Sequence, residues 1–156
     1  MELREAEAVE EVTKHVDQGF LCVEAVLKTL ADTKGAKSED IPAIATGMGA
    51  GVARTGQICG AVTGAIMGLG LWFGRNKPVN SVRKPYWYSR LFIENWMETH
   101  NDTTCSGLLD LELDNPEDLA IFQVKNFWET KCRKYIVNAV MLAISIIKEK
   151  SEYAQR

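Results

Sequence analysis

The sequence predicts an all-α protein, a compact bundle of about five to seven helices around a central glycine-rich helix. Apolar residues recur at helical spacing through most of the 156 residues, and no run sustains the alternation of a half-buried strand. Glycines, prolines and polar clusters fall between these periodic runs, where a chain has to turn. The longest apolar run, residues 58–73, is shorter than the roughly 20 residues that cross a bilayer, so it reads as a buried helix at the centre of a core.

Residues 3–16 form a charged amphipathic helix, closed by the turn Asp17, Gln18, Gly19. A second helix is expected over 20–31, where Phe20, Val23, Val26, Leu27 and Leu30 share a face and Cys22 lies in the first turn. Residues 32–40 are polar, carry Gly35 and read as a loop. Ile41 and Pro42 open a short helix with proline in its first turn, and 47–56 read as a flexible connection. The central helix spans 57–74, is stopped by Gly74, Asn76 and Pro78, and is expected to be the least exposed element. A long helix over 82–100, with Pro85 near its start, carries Tyr86, Leu91, Phe92, Ile93 and Trp96 on one broad apolar surface and ends at Asn101 and Asp102. Residues 103–107 read as a polar connection, 108–114 as a turn of helix or a loop, and Pro116 as the start of another short helix. The last helix begins at Val124 or Trp128 and runs to Lys150, with Cys132, Tyr135, Ile136, Ala139, Val140, Ala143, Ile144 and Ile147 as its core face. No repeat, low-complexity tract or linker divides the chain, so residues 1–156 read as a single four-cysteine helical domain.

A formal net charge of −3 argues against a general nucleic-acid footprint, which needs a basic surface to displace phosphate counterions. The N-terminal stretch is acidic and mixed in charge, unlike a secretory signal, and no run is long enough to span a membrane; a cytoplasmic location without membrane contact is expected. There, four cysteines are thiols, metal ligands or redox groups rather than a permanent disulfide framework. His15 and His100 stand alone at predicted helix ends and read as solvated termini. Gly47, Gly49 and Gly51 lack the preceding strand of a phosphate loop. Trp72, Trp87, Trp96 and Trp128 read as core or interface anchors, and the broad apolar surface of the 82–100 helix leaves self-association open.

The most distinctive segment is GQICGAVTGAIMGLG, residues 56–70, which sets Cys59 among repeated glycines. Glycine inside a helix costs about 1 kcal/mol relative to alanine, so its recurrence implies that something approaches the backbone closely. Gly60, Gly64 and Gly68 form one stripe, against which a neighbouring helix or a bound group can pack. Cys22, Cys59, Cys105 and Cys132 are too far apart in sequence for a local metal motif, so any shared site has to be assembled by folding. Cys22, Cys59 and Cys105 lie at predicted helix starts or in a turn, where free N–H groups and the helix dipole favour a thiolate. Arg54 before Cys59, and Lys131, Arg133 and Lys134 around Cys132, are cations that favour thiolates or an anionic cluster. The competing reading is that each cysteine is a small apolar core residue.

The order of Cys22, GQICGAVTG at 56–64, TTCSGLL at 103–109 and KCRKYIVNAV at 131–140 resembles the C_GCAxxG_C_C family of redox-active proteins, over nearly the whole chain. The block is Cys59, Gly60, Ala61, Val62, Thr63, Gly64, with Gly56 upstream; the family name spells it GCAxxG, whereas the order here is ICGAVTG. The resemblance implies a small helical protein whose four cysteines act together in redox or iron–sulfur chemistry. A related domain accompanies an iron–sulfur site in split-Soret cytochromes, but this chain lacks the CxxCH of covalent haem attachment. Three functions are therefore expected in order: an iron–sulfur cluster held by the four cysteines for electron transfer or sensing, with a redox partner of unspecified identity; thiol–disulfide exchange; and a structural or interaction role with zinc or no metal. No dedicated substrate pocket is legible, so the residues make no claim of enzymatic activity.

Overall fold

The computed structural model describes residues 4–78 and 83–151. Among them lie eight α-helices: α1 (Glu5–Asp17), α2 (Cys22–Lys34), α3 (Gly49–Arg54), α4 (Gly60–Phe73), α5 (Trp87–His100), α6 (Cys105–Leu109), α7 (Pro116–Val124) and α8 (Arg133–Lys150). A 3₁₀ stretch, Ala43–Met48, precedes α3, and a π-helical turn, Trp128–Cys132, runs into α8. The all-α class is as expected, and the described residues contain an isolated β-bridge but no strand. The number of helices exceeds the expected five to seven because α3 and α6 occupy stretches read as connections. A single turn is too short to display apolar periodicity.

The centre of the core is the α2–α4 pair. The glycine stripe of α4 lies directly on α2: a Cβ on Gly64 would stand 2.7 Å from the Val23 carbonyl oxygen, and one on Gly68 would overlap the Leu30 side chain. A helix, not a ligand, makes that close approach along most of the stripe. α2 is buried over most of its length, whereas Gly70–Phe73 of α4 are only half-buried, so α4 does not stand alone as the least exposed element. α1 and α8 pack on α2 and on each other, α8 also covers α4, and α5 closes the side formed by α4 and α8. Val12, Val26, Leu69, Phe92, Trp96, Val140 and Ile144 meet in this one core.

Local chemistry sets the boundaries. α2 runs three residues past Ala31 and stops at Gly35, whose φ of +73° makes a left-handed cap. α5 begins at Trp87, two residues after Pro85, and ends at Asn101 with φ +60°; Val82, where its start was expected, lies outside the described residues. Only Phe92 and Trp96 of the expected apolar surface are fully buried, and Tyr86 is exposed. Asn115 caps α7 by accepting from the Glu117 and Asp118 N–H groups, with Pro116 at the first position. Both histidines lie in the last turn of a helix, as expected, but neither is fully solvated. His15 is buried with Nδ1 3.0 Å from the Thr29 hydroxyl, and His100 lies 3.9 Å from the Trp96 ring, centroid to centroid.

Candidate functional site

Each cysteine enters the site from a defined local structure. Cys22 is the first residue of α2, whose start is held by Glu24: one carboxylate oxygen accepts from the Leu21 N–H at 2.8 Å and the other from the Thr46 hydroxyl at 2.6 Å. Cys59 is the N-cap of α4, and its carbonyl accepts the first bonds of that helix, from Val62 and Thr63. Cys105 is the first residue of α6; Thr104 caps it, accepting from Gly107 N–H, while Asp102 Oδ1 accepts from the Thr104 N–H and hydroxyl. Those two bonds hold the Asp102 carboxyl below the usual carboxylate range. Cys132 closes the π-helical turn ahead of α8, a local widening that is frequent at functional sites.

The Cys59 and Cys105 segments run side by side. Cys59 N–H donates to Thr103 O at 2.8 Å, and Cys105 N–H donates to Gln57 O at 2.7 Å, on either side of the bridge between Ile58 and Thr104. Alternation along the two extended segments sends Cys59 and Cys105 to the same face, away from the half-exposed Ile58. Tyr135 on α8 donates to Leu108 O at 3.0 Å, which ties α6 to the helix that follows Cys132.

Over these segments lies α3, which the sequence reading took as part of a flexible connection. It is a left-handed turn: Ala50, Gly51, Val52, Ala53 and Arg54 have φ of 54°, 63°, 58°, 56° and 67°. For an L-residue other than glycine this costs roughly 1–2 kcal/mol each, most severely for a β-branched residue such as Val52. Packing over-determines it: Gly51 O accepts from Gln57 N–H and the Thr55 hydroxyl, and a Cβ on Gly51 would stand 2.5 Å from that of Cys105. Only glycine fits there. Gly60 is equally constrained, since a Cβ would overlap the Cys22 sulfur.

All four cysteines line one cavity of about 180 Å³, walled by Leu108, Leu113, Leu119, Phe122, Trp128 and Ile136, with Ala61 and Gly60 on its floor. Among the described residues, Arg54 is the single charged one of that lining. Of the other cations expected near the site, Arg133 pairs instead with Glu129 at 2.8 Å and Asp17 at 2.9 Å, and Lys131 sits 4.2 Å over the Phe127 ring. Gly56 backs the site without lining it: its φ is +75°, and its carbonyl accepts from the Ser106 hydroxyl beside Cys105. Gly64 serves the α2–α4 contact.

Burial decides the charge state of the thiols. Desolvation pushes Cys59 up to about 12 and Cys105 up to about 11, and raises Cys22 and Cys132 as well; for Cys59, Cys105 and Cys132, the other sulfurs add repulsion. Backbone N–H groups pull the other way: Ala50 and Val23 at Cys22, Ala61 and Val62 at Cys59. Helix starts and nearby cations were expected to favour thiolates, but desolvation outweighs them, and the thiols are neutral at physiological pH. Among the described residues no three His, Cys, Asp or Glu side chains are grouped to hold a single metal ion.

The family described as "putative redox-active protein (C_GCAxxG_C_C)" matches residues 20–146, a span that takes in Cys22, Cys59, Cys105 and Cys132. The chain belongs to the C_GCAxxG_C_C family. No curated protein and no solved structure matches it. For this C_GCAxxG_C_C member, the sequence located the cysteines and the glycines but missed the roles of Ala50, Tyr135 and Phe122. The alternating Gly49 and Gly51 were the one available signal of α3, and they read only as a flexible connection. Among the described residues, no helix is long and apolar enough to cross a membrane.

Proposed function

We propose that Cys22, Cys59, Cys105 and Cys132 ligate an iron–sulfur cluster used for electron transfer or sensing. The observation that carries this reading is that four thiols from four separate parts of the chain line one cavity of about 180 Å³. Cysteine thiolates are the usual cluster ligands, and hydrogen bonds to sulfur and exclusion of solvent tune the potential. The N–H groups directed at Cys22 and Cys59 and the leucine-rich walls fit that demand. Thiols that surround a void suit a polynuclear group better than zinc, which draws its sulfurs to about 2.3 Å from one point.

When bound, the cluster supplies one-electron chemistry. The chain supplies the ligands, an Arg54 cation at the cavity to balance negative charge, α3 to aim the Ala50 N–H, and apolar walls to keep water out. Cluster ligation and thiol–disulfide exchange both require thiolates and burial raises all four thiols, but a bound metal deprotonates the thiols it coordinates, whereas disulfide exchange has no such cation to draw on.

Purification without oxygen, followed by visible spectroscopy with iron and acid-labile sulfide analysis, tests this. Broad visible absorbance with iron and sulfide is expected, with loss of most of it when any one of the four cysteines is replaced by alanine. Protein that stays colourless and iron-free after reconstitution overturns the reading. Colourless zinc assigns a structural site, and loss of thiols in pairs on mild oxidation assigns disulfide cycling.

A further inference from the structure

α7 walls the cavity with Leu119 and Phe122, and at about 100° per residue Ile121 and Val124 fall on the opposite side of the helix. Both are exposed, Val124 at 86%, and α7 has no fully buried residue. The stretch that leads into and opens α7 is acidic, and Glu117, four residues before Ile121, shares the side of the apolar pair. Between Thr103 and Val124 the sequence holds Asp110, Glu112, Asp114, Glu117 and Asp118, and no lysine, arginine or histidine. Among the described residues none of these five carboxylates joins an ion pair. Of the cations that follow α7, Arg133 is paired with Glu129 and Asp17, while Lys125 and Lys131 lie over the Phe127 ring and keep their charge.

We propose that this face, an exposed apolar pair on α7 preceded by five carboxylates outside any ion pair, docks a one-electron carrier protein that presents a basic, apolar-centred surface. The assignment rests on the redox reading of the four-cysteine cavity and names the partner class for it. A single helix, roughly 10 Å across, lies between the docked face and the cavity. A small apolar centre with charge nearby suits a transient encounter, in which complementary charge raises the association rate more than it prolongs the complex. In each encounter one electron passes between the carrier and the site; one is oxidised as the other is reduced, and no covalent bond forms.

The docking is tested by titrating isotopically labelled protein with cytochrome c, a basic one-electron carrier, and following backbone amide shifts. Shifts concentrated in 110–124 are expected, with binding that weakens as salt is raised through the screening range. The variant Asp110→Asn, Asp114→Asn, Glu117→Gln, Val124→Ser changes exposed positions only and is checked for native folding by circular dichroism. Its association rate with cytochrome c is expected to fall by about tenfold and to depend less steeply on salt, since Glu112 and Asp118 remain. Shifts that map elsewhere, or a variant that binds as the parent does, overturn the proposal. Broadening of 110–124 with protein concentration alone assigns the face to a second copy of this chain and also overturns it. Stopped-flow oxidation by cytochrome c and by ferricyanide separates the two readings. Protein that docks the carrier but transfers no electron to either oxidant fails the redox reading, whereas equal salt-independent rates for parent and variant with cytochrome c fail the docking.

Discussion

At the scale of single residues, glycine and histidine carry the sharpest consequences. Gly64→Ala would drive a methyl group against the Val23 carbonyl, which cannot move without displacing α2. Overpacking of this kind costs about 1–3 kcal/mol, more than the helix propensity gained, so a net loss of about 1–2 kcal/mol is expected in chemical denaturation. The histidines set an acid limit. Burial lowers the pKa of His15, with Lys28 adding to the effect, and burial lowers that of His100. A depressed pKa means that the unfolded chain takes up protons first, so this stability is present above the ordinary pKa of about 6.5 and is lost as the pH falls below it. Urea midpoints measured from pH 7.5 to 5 should decline, and the double variant His15→Gln, His100→Gln should flatten that decline.

At the scale of elements, α3 stores backbone strain over the site while α2 and α4 supply the rigid floor beneath it. Ala53 lies at φ 56° and is exposed, so Ala53→Gly removes a steric penalty without touching the core. A gain of about 0.5–1 kcal/mol is expected, partly offset by glycine's greater unfolded-state entropy. Gly51→Ala should do the reverse, because the added methyl meets Cys105; thermal unfolding of the pair gives opposite signs if the turn is built as described. α7 and the π-helical turn were only partly legible. The proline and asparagine of α7 announce its start, but the segment's burial pattern is weak, since only Leu119 and Phe122 pack inward, on the small cluster of Cys105, Leu109 and Leu113, and neither is fully buried.

At the scale of the whole molecule, loading of the site couples to protons and to stability. The thiols are neutral in the free protein, with Cys59 at about 12 and Cys105 at about 11, whereas metal ligation requires thiolates. Reconstitution with iron and sulfide should therefore release protons and proceed further at pH 8.5 than at pH 6.5, as read by visible absorbance at fixed reagent concentrations. A group bound by the folded state alone also raises the unfolding temperature, so the loaded protein should melt above the metal-free protein, and chelation should abolish the difference.

The sequence by itself determined the helical class, the position of the longer helices, the close approach along Gly60, Gly64 and Gly68, and membership of a four-cysteine family. These depend on spacings within a turn or two, or on a cysteine order that is linear in the chain. Tertiary structure alone decided that Cys22, Cys59, Cys105 and Cys132 share one cavity, that α3 winds left-handed over it, and that Arg54 lines it while Lys131 and Arg133 turn to other partners. It also reversed the expected direction of the thiol pKa shifts. Desolvation sums over walls contributed by α2, α4, α6, α7 and α8, whereas a helix start or a neighbouring lysine acts locally, and local spacing carries no measure of how much water the rest of the fold removes.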